Sequence, residues 1–270
     1  MTYIYPKLSE HDYGFFRIGG AGLANCLFVA ARAWVEACKN GGQYIEPTWR
    51  KFSIGPWLRR ERDKRVYNRL FKSVGISGLR KLAIIKFSKD MSIHEGLGKY
   101  FTDFNCEVPL VLDLIRRLTD ENVIAAVPLE KEMGCCVGLH IRLGDYLPEL
   151  RVSIDWYKGV IMRITELNKE QKFLIFSDGT DEELAELLAL PNVERVFYGN
   201  AFADMIGLSR CKLVVASDST FSAWSAFIGQ KPVIFSKRHF PKVYADDTPE
   251  CVLGDSCEIP TTYIDIISNQ

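Results

Sequence analysis

Cys135-Cys136-Val137-Gly138-Leu139-His140-Ile141-Arg142-Leu143-Gly144-Asp145-Tyr146 opens as an apolar run and closes on an imidazole, a guanidinium and a carboxylate. A short apolar run of this kind reads as a buried strand. In an open parallel sheet, ligands bind beyond the carboxyl ends of the strands, so titratable groups at that end have a physical reason to be there. The segments that follow keep the pattern. Strands are expected at Phe173–Phe176, Val193–Tyr198, Leu213–Ala216 and Pro232–Phe235. Helices are expected between them at Ile154–Leu167, Thr180–Leu190, Ala201–Ser209 and Ser219–Ile228, with Thr180 and Glu183 spaced as a capping box. Strict alternation of β and α elements implies a parallel sheet covered by helices.

Upstream the reading is thinner. Tyr13–Ile18 reads as a strand, followed by the turn Gly19-Gly20-Ala21-Gly22 and a helix from Leu23 to Cys38 that stops at Asn40-Gly41-Gly42. Val108–Leu118 has helical spacing, and Leu82–Phe87 reads as a strand. The expectation is α/β, GT-B type: two Rossmann-like lobes with a central cleft, divided into residues 1–128 and 129–270.

Composition is that of a globular enzyme, with 47% hydrophobic and 25% charged residues and zero formal net charge. No global field steers the chain toward nucleic acid. None of the eight cysteines forms a CxxC pair, the N-terminus lacks the form of a signal peptide, and no apolar run approaches the ~18 residues of a membrane span. A reduced, cytoplasmic protein is expected. Charge is nevertheless uneven: residues 50–89 hold thirteen lysines and arginines against two acids, a local excess of +11. Trp49, Phe52, Trp57, Phe71 and Phe87 interleave with them. That composition suits either an anionic membrane surface or a solvated basic face.

Three strand ends carry polar clusters: HIRLGDY, Ser177-Asp178-Gly179, and Ser217-Asp218-Ser219-Thr220. Arg142 offers a planar fork of donors that fits a phosphate, or else a structural ion pair with Asp145. His140 is a nucleotide contact or a core imidazole, and Asp145 orients Arg142 or acts as a base. Ser219 and Thr220 open a helix, where backbone N–H groups favour an anion or where the side chains merely cap. Asp178 can accept a pair of donors such as those of guanine, or serve the turn. The glycine turn allows close backbone approach to a ligand, or simply a tight βα connection. No D-x-D pair or histidine pattern points to a metal, and GxSxG is absent.

Taken together and in order, GAGLANCLF, HIRLGDY, FSDG and SDSTFSAW resemble the motifs of the inverting α-1,2-fucosyltransferases of bacterial surface-glycan pathways. The resemblance spans roughly residues 14–235. It implies a GT-B fold, GDP-fucose as donor, a galactoside-type glycan hydroxyl as acceptor, free or lipid-linked, and no metal or cofactor. Residue by residue it implies that Arg142 grips the donor diphosphate beside His140, and that Asp178 reads guanine. Ser217, Ser219, Thr220 and Phe221 would complete the donor set, Arg142 and Asp145 would act in catalysis, and Gly20, Gly22 and Asn25 would face the cleft. The chain departs from the pattern at Leu143, Ala24, Cys26 and Gly179, where the family has arginine, glycine, glutamine and aspartate. Two alternatives stay open: a same-fold transferase using another nucleotide sugar, or an inactive nucleotide- or glycan-binding homologue. A peripheral contact at the inner membrane face through residues 50–89 is also expected.

Overall fold

Residues 2–52, 54, 58, 65–144 and 148–268 are described in a computed structural model. The chain divides into two units, Met1–Ile124 and Ala125–Gln270. In the first, β1 (Tyr3–Pro6) leads into a small hairpin, β2 (His11–Asp12) and β3 (Arg17–Ile18), and then into α1 (Leu23–Asn40). After α1 come β4 (Gln43–Tyr44), β5 (Lys51–Phe52), α2 (Gly78–Phe87), β6 (Met91–His94) and α3 (Val108–Leu118). β1 is the middle strand of a parallel sheet, with β4 and β6 at its sides, while β2, β3 and β5 form a second sheet.

Two expectations change here. The single strand Tyr13–Ile18 is instead the loop and second arm of the β2–β3 hairpin, and the strand that feeds the main sheet is Tyr3–Pro6. Leu82–Phe87 is the last part of α2, not a strand. Ile84 and Ile85 gave it a strand-like look, but Leu, Ala and Lys around them are good helix formers and Ser77 precedes the helix. α1 ends where expected, on Gly41 with φ of 66°, a conformation glycine adopts without strain. α3 buries Val111, Leu114, Ile115 and Leu118 along one face.

The second unit continues with α4 (Glu130–Met133), β7 (Cys136–Ile141), α5 (Ile154–Leu167), β8 (Lys172–Ser177), α6 (Asp181–Leu188) and β9 (Val193–Arg195). Then follow α7 (Ala201–Arg210), β10 (Leu213–Ala216), α8 (Thr220–Gly229), β11 (Val233–Phe235), β12 (Glu250–Val252) and α9 (Ile264–Ser268). Its sheet is parallel, in the order β12-β11-β10-β7-β8-β9. From β7 the chain builds outward through β8 and β9, then returns to place β10 on the other side of β7. The strand order reverses between β7 and β10, and a parallel sheet opens a ligand crevice at such a point.

Every residue of β7 is buried, as expected of a central parallel strand. Val137, Leu139 and Ile141 join Tyr157, Val160, Ile164, Phe173, Ile175 and Val215 in one apolar core. Each such side chain contributes about 1.5–3 kcal/mol on burial. The expected capping box is present: Thr180 Oγ1 accepts from the Glu183 N–H at 3.2 Å, and Glu183 Oε2 accepts from the Thr180 N–H at 2.9 Å. Gly138 has its own reason to be glycine. A Cβ there would lie 2.5 Å from Leu208 Cδ1 and 2.9 Å from Cys211 Sγ, where α7 and its end close on the strand. Gly138→Ala is therefore expected to overpack this contact at a cost of about 1–3 kcal/mol. A lowered melting temperature in calorimetry checks this, and an unchanged one contradicts it.

Candidate active site

The switch point is assembled around His140, whose backbone pairs with Ala216 across the β7–β10 ladder. Its carbonyl accepts from the Tyr157 hydroxyl at 3.1 Å and from the Ser217 N–H at 3.1 Å. Its Nδ1 lies 2.9 Å from Ser217 Oγ, and its ring stacks on Phe221 with centroids 4.8 Å apart. Burial first, and the neighbouring Arg142 charge second, hold the imidazole far below its ordinary pKa, against a smaller opposite pull from Asp178. A neutral, buried ring of this kind ties β7 to β10 and to α8. Ser217 and Phe221, expected as donor contacts, are the partners of that tie.

Two residues on, the chain leaves the sheet and meets Asp178 at the end of β8. Asp178 Oδ1 accepts from the Leu143 N–H at 2.8 Å and the Gly144 N–H at 3.1 Å, and Oδ2 faces Arg142 Nη1 at 2.9 Å. The resemblance gave Asp178 to guanine; in the structure its carboxylate carries these three donors of the chain itself. Both oxygens are engaged by the loop after β7, which makes Asp178 the residue that positions Arg142. Glycine at 144 follows from this contact, because a Cβ would sit 2.8 Å from Asp178 Oδ2. Leu143, standing where a second arginine was expected, turns into the apolar core with 4% exposure and adds no charge. Asp145, expected beside Arg142, lies outside the described residues.

The start of α8 completes the rim. Ser219 Oγ accepts from the Phe221 N–H at 3.2 Å, so this hydroxyl caps the helix. Ser222 Oγ donates to the Ser217 and Ser219 carbonyls at 3.3 and 3.0 Å, which fixes the strand-to-helix turn. Thr220 is the first helical residue, at the positive end of the helix dipole. Beside it, Asp218 Oδ1 accepts from the His239 backbone N–H at 2.9 Å and lies 2.6 Å from His239 Nδ1. Burial pushes the Asp218 pKa up, but the His239 bonds and charge and the Lys237 charge together bring it below its ordinary value. The sequence reading missed this partner. The signal was the run Lys237-Arg238-His239 immediately after β11, the strand next to β10.

In the first unit, the glycine turn rests on two buried cations. Arg17 donates from Nη1 to the Gly19 carbonyl at 2.7 Å and from Nε to the Thr48 carbonyl at 3.1 Å. Lys51 Nζ donates to the Gly20 carbonyl at 3.0 Å. Gly20 has φ of 79°, and a Cβ would lie 2.7 Å from both Arg17 Nη1 and the Leu8 carbonyl oxygen. Gly22 precedes α1 with no side-chain cap, the Leu23 N–H is met instead by the Tyr67 hydroxyl at 3.1 Å, and Asn25 lies in the first turn. Gly20, Gly22 and Asn25 thus belong to one rigid turn of the first unit. His140, Arg142, Asp178, Ser217, Ser219, Thr220 and Phe221 gather at one rim of the second.

These residues stand at the switch point of a parallel sheet, carried on a two-unit α/β fold of the GT-B class. Residues 107–240, just under half of the chain and including its HIRLGDY, FSDG and SDSTFSAW stretches, match the model of glycosyl transferase family 11. The O-antigen biosynthesis glycosyltransferase WbnK of Escherichia coli is 28% identical over 126 residues, 43% of this chain. The match spans 41% of that protein, about two fifths of its length. Among solved structures, NodZ alpha-1,6-fucosyltransferase co-crystallised with GDP has the same fold, with a TM-score of 0.55 at 15% identity over 83% of this chain and 91% of that one. A second NodZ structure, from Bradyrhizobium, gives 0.55 at 14% identity over the same shares. Three of the four motifs thus fall inside the matched segment, GAGLANCLF lies outside it, and the GT-B fold is shared along most of the chain.

His140 makes the site sensitive to acid. In the unfolded chain a histidine takes up a proton near pH 6.5, whereas in the folded unit it stays neutral to much lower pH. Its contribution to stability is whole above about pH 6.5 and drains away as the pH falls, at up to about 1.4 kcal/mol per pH unit. Denaturant unfolding between pH 7 and pH 5 should show a shallower loss for His140→Asn than for the natural protein, and parallel profiles would contradict it.

Proposed function

We propose that the protein is a glycosyltransferase that moves fucose from GDP-fucose to a hydroxyl of a galactoside-type glycan, inverting the anomeric carbon without a metal ion. The observation that carries this reading is the meeting, at one switch point, of an arginine pinned by Asp178 and a helix start capped by Ser219. A NodZ crystal containing GDP and another soaked with GDP-fucose support the choice of nucleotide and sugar, and WbnK supports a surface-glycan acceptor. The α-1,2 linkage rests on the motif resemblance.

In this mechanism the acceptor oxygen attacks the anomeric carbon as the bond to the diphosphate breaks, and negative charge grows on the departing phosphate. Groups held in place before the reaction stabilise that charge without reorganising. Asp178 fixes Arg142 in advance, and the Thr220 end of α8 adds backbone N–H groups and a dipole. Asp178 acts by position rather than by reading the base. The acceptor role belongs, in this reading, to the first unit and its glycine turn. Removing Arg142 should lower kcat about 10²–10³-fold, as loss of a preorganised oxyanion donor does. The check is turnover of purified Arg142→Ala against the natural protein, across GDP-, UDP- and ADP-sugars. Near-normal turnover would sink the role of Arg142. Preference for a UDP- or ADP-sugar would replace the donor, and no turnover of any donor would favour a binding protein.

The acceptor we assign is lipid-linked, met at the cytoplasmic face of the membrane. The support is a set of exposed apolar side chains in the first unit. Phe15, Phe52, Ile54 and Phe87 are 60%, 51%, 75% and 74% exposed. Phe16 joins Tyr13, Phe15 and Phe52 in ring contacts of 4.8–5.4 Å, and Gly14 packs on Leu82 and Ile85, which joins the hairpin loop to α2. Arg50 lies over Phe52 and Lys86 over Phe87. Exposed aromatics interleaved with cations suit an anionic bilayer surface. Among the described residues no helix is long and apolar enough to cross a membrane. Co-sedimentation should be stronger with anionic than with zwitterionic vesicles and should fall for Phe15→Ser/Phe52→Ser. Equal recovery with both vesicle types would remove the membrane from this account.

A further inference from the structure

The charges at the switch point do not yet suit a diphosphate. Arg142 is matched by Asp178, and Asp218 adds a second carboxylate, so these three groups are net negative. A nucleoside diphosphate brings several negative charges of its own. Among the described residues no group of three metal-ligating side chains stands ready to hold a neutralising ion. A further cation near the start of α8 would offset that charge.

The loop after β11 holds one. Within Lys237-Arg238-His239, the last two residues are tied down. Arg238 is paired with Glu250 and lies over the Phe235 and Phe240 rings at 5.7 and 6.0 Å. Glu250 in turn accepts from the Val243 N–H, which closes the loop on itself. His239 is bound through both its backbone N–H and its ring to Asp218, the residue before the cap of α8. Lys237 differs from both. It is half-buried, makes no ion pair among the described residues, and stands two residues before His239, whose backbone N–H holds the loop to Asp218. A lysine carries a compact charge with three donors and binds phosphate as a point charge.

We propose that Lys237 is a second cation of the diphosphate subsite, in addition to Arg142, and that Asp218 and His239 are positioning residues that hold its loop against the start of α8. This rests on the nucleotide-sugar reading above and names a residue that reading did not use. It also explains why an acid is tolerated in the SDST turn: Asp218 is turned to the loop and fastens it.

The test measures affinity for GDP, GMP and guanosine by calorimetry, with inorganic pyrophosphate as a separate ligand in thermal-shift assays. Lys237→Gln should weaken GDP about ten-fold or more, the loss of one charged hydrogen bond, and diminish the pyrophosphate shift. Guanosine affinity should stay unchanged, and Lys237→Arg should recover most of the loss. Asp218→Asn and His239→Asn should weaken GDP in the same phosphate-dependent way. Lys237→Gln binding GDP normally, or losing GDP and guanosine equally, overturns the proposal. Should the natural protein prefer UDP or ADP, the same series run on that nucleotide still decides the case for Lys237, while the GDP-fucose reading fails. A natural protein that binds no diphosphate and no pyrophosphate overturns both.

Discussion

The carboxylate of Asp178 holds the site together. Three donors from one short stretch, the Arg142 guanidinium and the Leu143 and Gly144 amides, converge on it as the chain leaves β7. Without it, the loop would carry two N–H groups and a partly buried guanidinium lacking these partners, and unsatisfied groups of that kind cost about 1–3 kcal/mol each. The tie works across neighbouring strands, because β7 and β8 pair in register as far as Ile141 and Ser177. The sheet thus sets where the arginine stands, and the arginine needs no ligand to be held there.

A second tie runs the other way. His140, stacked on Phe221 and bonded to Ser217, joins β7 to β10 and to the helix that follows. The two ties act on either side of β7, one through a charged group and one through a neutral ring. Arg142 lies between them. A transition state that develops charge at this rim would meet groups already in place, which is the condition under which electrostatic stabilisation is most effective.

The second unit was legible in the sequence because its physics is local. Each buried strand is a short apolar run, each helix has an apolar face at helical spacing, and Thr180 with Glu183 announces its own start. The first unit was not. Tyr3–Pro6 is four residues ending in proline, and Ile84-Ile85 mimics a strand inside a helix. The site divided along the same line. Strand ends located Arg142, Ser219 and Thr220, since topology alone puts them at the rim. The work of Asp178 depends on which amides lie above it, and the Asp218–His239 bond spans 21 positions of sequence. Neither has a local signature. Leu143 illustrates the converse: it reads as a departure in a motif, while in the fold it is simply core.

The most direct test is hydrogen–deuterium exchange of the natural protein with and without GDP. The account predicts that nucleotide slows exchange at two separate stretches together, the amides around 142–144 and those around 219–221. Protection confined to one of them, or appearing only in the first unit, would contradict a single phosphate-binding rim built between β7 and β10.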